Sequence, residues 1–159
     1  MQPMEEIYQE YAKLVYRYLL SLAKDPDLAE ELTQETFFQA IRSIGRYDES
    51  CKISTWLCAI AKNVWHGYLR KHPETEDFQD QVIAVGSAEE KVLEEQERTD
   101  LLRRVHELPE PYREVIYLRI YADLSFREIG DVIGKTENFA RVTFYRGKEK
   151  LKKAFSEEE

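Results

Sequence analysis

SFREIGDVIGKTENFARVTFYRGKEK, running from Ser125 to Lys150, decides how this chain is read. Ser125 stands three residues before Glu128, the spacing of a capping box that opens a helix. Phe126, Ile129, Gly130 and Ile133 then share one face, and Gly134 is placed to end the helix in a left-handed turn. Thr136 can cap a second helix, running to about Phe155, whose inward face is Ala140, Phe144, Gly147 and Leu151. Short helix, glycine turn and longer helix form a helix-turn-helix. Gly130 and Gly147 are expected where the two helices cross closely, which offsets the roughly 1 kcal/mol that a mid-helix glycine costs.

The opposite face of the second helix carries Asn138, Val142, Tyr145, Arg146, Glu149 and Lys153, flanked by Arg141, Lys148 and Lys152. Arg reads guanine through two hydrogen bonds, apolar groups meet the thymine methyl, and Lys neutralises phosphate. Duplex DNA is the ligand this face suits. Yet the chain of 159 residues has 23 basic and 31 acidic side chains, a net charge of -8. The charge is segregated. Residues 135–153 hold 7 basic and 2 acidic side chains, while residues 73–100 hold 2 basic and 10 acidic. A second positive stretch, residues 51–72, has 4 basic side chains and no acidic one. There Lys52, Lys62, Arg70 and Lys71 sit among Trp56, Trp65 and Tyr68, a mixture that suits stacked bases and phosphates of single-stranded nucleic acid. An amphipathic helix with a few lysines on its wet side fits the same residues.

Upstream, the periodicity is helical throughout. Ile7, Tyr11, Leu14, Val15, Tyr18, Leu19 and Leu22 form one stripe. Asp25 and Pro26 begin a second helix with a stripe of Leu28, Leu32, Thr36, Ala40, Ile41 and Ile44, which Gly45 should end. After the loop RYDESCK, Ser54 can cap a third helix with Trp56, Leu57, Ile60, Ala61, Val64 and Tyr68 inward. An acidic, aperiodic stretch follows, then Ser87 and Glu90 as a capping box for a helix to about Glu107. Pro109 and Pro111 break that helix and start another carrying Tyr112, Val115, Ile116 and Leu118. The expected fold is all-α: a three-helix domain over 1–72, an acidic linker over 73–90, and a helix-turn-helix domain over 91–159.

Several function classes fall away. No apolar run reaches membrane-spanning length, and the N-terminus lacks the order of a signal peptide, so a soluble, cytoplasmic protein is expected. Cys51 and Cys58 make no disulfide framework, and with His66 and His72 they match no zinc spacing. The chain contains no nucleophile elbow, P-loop or dinucleotide glycine pattern, nor the Glu-x-x-His repeats of a helical di-metal centre. Neither catalysis nor a cofactor is expected. On the second helix, Glu31, Gln34, Glu35 and Phe38 share the face opposite the apolar stripe. An acidic surface with a large aromatic fits either a protein partner or a solvated face with one stray Phe.

Three stretches in order resemble the extracytoplasmic-function sigma factors, the small two-domain members of the bacterial sigma family. DLAEELTQETFFQA (27–40) is similar to the segment that grips the β′ clamp helices of RNA polymerase. STWLCAIAKNVWHGYLRK (54–71) resembles the region 2 helix that melts and reads the −10 element. LPEPYREVIYLRIYADLSFREIGDVIGKTENFARVTFYRGKEKLK (108–152) resembles the region 4 domain that binds the −35 element. The resemblance implies roles by position. Glu31, Gln34, Glu35 and Phe38 would face the clamp. Tyr47, Asp48, Ser50, Lys52 and Ser54 would lie in the loop that captures a flipped −10 base, with Lys62, Asn63, Arg70 and Lys71 holding nearby strands. Arg119, Asn138, Arg141, Val142, Tyr145, Arg146, Lys148 and Lys153 would meet the −35 duplex. The implied partners are core RNA polymerase, through its β′ and β subunits, promoter DNA, and an anti-sigma factor, often membrane-bound. Gly67 stands where the family usually has Asp, and 140–143 read Ala-Arg-Val-Thr where a Val-Lys-Ser-Arg-like run is common. A helix-turn-helix regulator that binds duplex DNA without polymerase is the competing reading, and a helical adaptor that binds no DNA is a third.

Overall fold

The computed structural model of the chain describes residues 2–73 and 96–157, and every regular element among them is helical. The first group is α1 (Met4–Ala23), α2 (Pro26–Ser43) and α3 (Ile53–Lys71). The second is α4 (Gln96–Glu107), α5 (Tyr112–Ile120), α6 (Phe126–Ile133) and α7 (Glu137–Glu157). Apart from Pro73, the linker expected over 73–90 and the Ser87–Glu90 capping box lie outside the described residues.

Local chemistry accounts for most of the boundaries. Lys24 takes a left-handed φ of 55° at the end of α1 and donates its N–H to Leu20. Asp25 caps α2, its Oδ1 accepting from the N–H groups of Asp27 (3.0 Å) and Leu28 (3.3 Å), with Pro26 in the first turn. Ser125 and Glu128 close the reciprocal capping box of α6, and Gly134 ends that helix at φ 75°. The Thr136 hydroxyl accepts from the Phe139 N–H at 3.0 Å and starts α7.

Four expectations need correction. Along α2 the buried side is Ala29, Leu32, Thr33, Thr36, Phe37 and Ala40, and Ile41 is 55% exposed. The inward stripe advances by 3.6 residues rather than four, which carries Ile41 off it and Phe37 onto it. Thr33 and Thr36 tolerate burial because their hydroxyls donate to the carbonyls of Ala29 and Leu32. Secondly, α2 does not stop at Gly45; it tightens into a 3₁₀ turn over Ile44–Arg46. Thirdly, Ser54 is not a cap, because α3 starts one residue earlier behind Lys52 and Ser54 is buried within it. Finally, the tryptophans exchange places: Trp65 is in the core and Trp56 is only half-buried.

The two glycines of the helix-turn-helix are both close approaches, but not to each other's helix. A Cβ at Gly130 would lie 2.7 Å from the Lys135 carbonyl oxygen, against the turn between α6 and α7. A Cβ at Gly147 would meet Ile116 Cδ1 at 2.5 Å, so Gly147 lets α7 lie on α5. The two groups share a continuous core. α1 packs on α5 and α3 on α6, and Tyr18 and Tyr117, both fully buried, stack across the seam with centroids 6.1 Å apart. Burial of such side chains contributes about 1.5–3 kcal/mol each.

Candidate nucleic-acid and polymerase interfaces

Three surfaces carry the candidate residues. The outer face of α7 is the simplest. Asn138, Arg141, Val142, Tyr145, Arg146, Lys148 and Lys153 are all exposed. Tyr145 is 53% and Val142 37% exposed, although both are large and apolar. The face is held from behind: Phe126 lies beneath it, with the Arg119 guanidinium 4.2 Å and that of Arg141 5.4 Å from its ring centroid. Arg119 also donates to the Leu124 carbonyl at 3.0 Å, so it is half-buried and fixed at the rim of the face. Arg146, by contrast, is exposed on the outer face of the helix.

The second surface is the outer side of α2. Glu31, Gln34, Glu35 and Phe38 are exposed together. Gln39 donates to Glu35 at 3.1 Å, and the Arg42 guanidinium lies 5.7 Å from the Phe38 ring. Ile41, turned outward, adds a second large apolar group beside Phe38. An acidic face with two exposed apolar side chains fits a protein rather than DNA.

The third surface, the loop after the 3₁₀ turn together with α3, is not open. Tyr47 lies tilted against Trp56 with centroids 4.9 Å apart and donates its hydroxyl to the Cys51 carbonyl. Asp48 accepts from the Ser50 N–H at 3.0 Å, and the Ser50 hydrogen bonds hold its carboxyl below the usual range. Asn63, Arg70 and Lys71 are exposed. Lys52 and Lys62 are engaged elsewhere. The Lys62 ammonium donates to both oxygens of Glu114 on α5, at 2.7 and 2.9 Å, and the two side chains are 13% and 6% exposed. The Tyr18 hydroxyl donates to the same carboxylate at 2.6 Å. Lys52 donates to the Asp123 carbonyl at 2.7 Å and lies 3.6 Å from Glu128 on α6. The Thr55 hydroxyl donates to the other Glu128 oxygen at 2.7 Å.

The seam is therefore polar and well bonded as well as apolar. Tyr117 donates to the Leu14 carbonyl at 3.1 Å. Cys58 lies fully buried on the same side of α3, and burial, aided by Glu114, pushes its thiol up to about 12. His106 on α4 is buried too, with its Nε2 lacking a hydrogen-bond partner among the described residues. Burial, then the charges of Arg113, Lys24 and Arg17, hold its pKa down to about 4. Where α6 crosses the loop, a cavity of about 570 Å³ remains, with Ser50, Cys51, Thr55 and Trp56 on one side and Arg127, Glu128 and Asp131 on the other. Among the described residues, no three His, Cys, Asp or Glu side chains converge as metal ligands, and no helix is long and apolar enough to cross a membrane.

Sequence reasoning missed Glu114, Glu128 and Tyr18 as functional neighbours. Glu114 left one signal: with Arg113 it stands between Tyr112 and the apolar run Val115-Ile116-Tyr117-Leu118, where a charge is buried only if paired.

Comparison with known proteins decides the family. Residues 7–74 match sigma-70 region 2 and residues 98–151 match sigma-70 region 4. The ECF RNA polymerase sigma factor SigM of Bacillus subtilis is 34% identical over 158 residues, spanning 96% of this chain and 95% of its own. This chain belongs to the extracytoplasmic-function RNA polymerase sigma factors. The sigma factor CarQ of Myxococcus xanthus is 31% identical over 155 residues, spanning 96% of this chain and 89% of its own. Among solved structures, the sigma factor RpoE of Bartonella quintana, bound to the anti-sigma factor NepR, superposes with a TM-score of 0.71 at 21% identity. That match covers 96% of this chain and 98% of RpoE, and at that identity it speaks for the sigma fold alone.

Proposed function

We propose that this sigma factor divides its work between residues 1–72, which dock on core polymerase and open the −10 element, and residues 91–159, which bind the −35 element, with 73–90 as the connection. The observation that carries this reading is the outer face of α7. Asn138, Arg141, Val142, Tyr145 and Arg146 are exposed together on a capped second helix of a helix-turn-helix. Such a helix fits the major groove, where Arg146 and Arg141 supply donors and Val142 and Tyr145 apolar contacts. Lys148 and Lys153 suit flanking phosphates. Glu31, Gln34, Glu35 and Phe38 form the polymerase-facing surface on α2, joined by Ile41. Tyr47, Asp48 and Ser50 belong to the loop that takes up a flipped base, and unstacking is offset in part by capturing that base. Asn63, Arg70 and Lys71 track the separated strand.

An anti-sigma factor is the proposed inhibitor. The fold neighbour RpoE was solved with its anti-sigma factor NepR, and the neighbour CnrH with the cytosolic domain of CnrY. The test is co-purification with core RNA polymerase followed by run-off transcription from a promoter bound in cells. Expected are a stable complex and specific transcripts. A chain that binds a palindromic operator tightly by itself and leaves core polymerase unprogrammed sinks the sigma reading. Glu35→Lys should abolish capture by core enzyme while the helical content stays unchanged. A normal pull-down removes the α2 face from the interface.

A further inference from the structure

We propose that Phe126 is a positioning residue for −35 recognition: its ring holds the guanidinium groups of Arg119 and Arg141 in place before DNA arrives. The proposal rests on the reading that the outer face of α7 meets the −35 duplex. Three observations carry it. The Arg119 guanidinium lies 4.2 Å and the Arg141 guanidinium 5.4 Å from the centre of the same ring, although the two arginines come from α5 and α7. Each is also held from a second side. Arg119 donates to the Leu124 carbonyl at 3.0 Å, and Arg141 lies 3.5 Å from Glu137. Finally, the Tyr145 ring lies 6.1 Å from that of Phe126 and 5.3 Å from that of Phe144, which is itself 5.6 Å from Phe126. One ring thus gathers three of the residues assigned to the −35 duplex.

The place of the ring follows from the sequence. Phe126 is the first residue of α6, and the Ser125–Glu128 capping box fixes that turn. Two cations beside one ring repel each other, and the negative π face offsets the repulsion by attracting both. A free arginine side chain loses rotamer freedom when it binds, whereas one already held against a ring has less to lose. The Glu137 contact does not oppose this. Both of its partners are exposed, and such a pair yields readily to a phosphate. Each guanidinium has several N–H donors, so the bonds to Leu124 and Glu137 leave others for DNA.

The experiment measures binding by the full chain assembled with core RNA polymerase. The probe is a fluorescein-labelled duplex that carries the −35 element of a promoter bound in cells. It stops short of the −10 element, so melting contributes nothing. Phe126→Leu keeps an apolar group and removes the ring, while Phe126→Tyr keeps the ring. Expected are about tenfold weaker binding for the first, because two long side chains must then be ordered on the DNA, and a change within about twofold for the second. The deciding readout is the coupling between the ring and the arginine. With Arg119→Ala already present, the further effect of Phe126→Leu should shrink to about threefold or less. An undiminished effect in that background overturns the positioning role and leaves Phe126 as packing alone. Binding by Phe126→Leu equal to that of the unaltered chain overturns it too. Phe126→Met, which also lacks a ring, serves in the same comparisons if Phe126→Leu does not fold. An unaltered chain that ignores the −35 fragment when assembled with core polymerase overturns the −35 reading itself, so the two failures are distinguishable.

Discussion

Lys62 on α3 and Arg146 on α7 are both cations on helices proposed to face nucleic acid, yet the fold treats them in opposite ways. Arg146 is exposed on the outer face of α7, where the ion pairs are between neighbours on the same helix, such as Arg141 with Glu137 at 3.5 Å and Lys152 with Glu149 at 3.8 Å. Lys62 is largely enclosed in the seam and bonded to a buried carboxylate 52 residues away in sequence. Exposed pairs are worth about 0–1 kcal/mol and yield readily to a phosphate. A buried pair couples two domains, because removing one partner strands the other. Similar charges thus make a ready surface in one place and a closed joint in the other.

The contrast can be broken most severely at Glu114. Glu114→Ala should cost about 3–5 kcal/mol of stability in urea unfolding, since the largely enclosed Lys62 loses its counter-charge and the buried Tyr18 hydroxyl its acceptor. A loss below about 1 kcal/mol would place the pair with the exposed ones on α7. The seam can also be loaded from the His106 side. With a folded pKa of about 4 against an ordinary 6.5, the neutral form is favoured on folding. Its contribution is therefore complete above pH 6.5 and lost as pH falls towards 4. Up to about 3 kcal/mol should disappear across that window, and His106→Gln should flatten that part of the profile. A variant with an unchanged acid limb would assign the loss to other groups.

Gly130→Ala probes the turn that aims α7. Alanine favours a helix by about 1 kcal/mol, but here its Cβ meets backbone that cannot step aside, so a net loss of about 1–3 kcal/mol is expected. Gly147→Ala, which presses mainly on the tip of Ile116, should cost less. A gain in stability for Gly130→Ala would mean that the turn relaxes freely. At the other end of the comparison, Arg146→Ala should change thermal stability by less than about 0.5 kcal/mol and weaken promoter binding by about 1–3 kcal/mol. An unchanged promoter profile would remove Arg146 from the reading surface.

What was legible in the sequence was what short-range chemistry decides. The Asp25 cap, the Ser125–Glu128 box, the Gly134 stop and the Thr136 cap each depend on atoms within four residues, and all four stand where the pattern put them. The exposed side of α7 was equally legible, because alternate faces of one helix are fixed by its period. Errors began where a neighbouring element arbitrates. Ile41 and Phe37 lie at the edges of a stripe, and packing against α1 and α3 decides which of them turns inward. Trp56 and Trp65 both suit a core, and only the Trp65 site is closed. Gly147 pointed to a close approach, but not to α5 as the partner. The seam itself joins Lys62 to Glu114, Thr55 to Glu128 and Leu14 to Tyr117 across 52, 73 and 103 residues. No local period encodes such pairings.

The most direct test of the closed joint is a distance between spin labels at two exposed positions away from the seam, Lys13 on α1 and Glu149 on α7. It is measured by pulsed electron resonance in the free chain and again with core RNA polymerase. Expected is one narrow distance in the free chain that becomes longer on binding core enzyme. A free chain that already shows a broad, long distribution, unchanged by polymerase, would contradict a covered −10 surface.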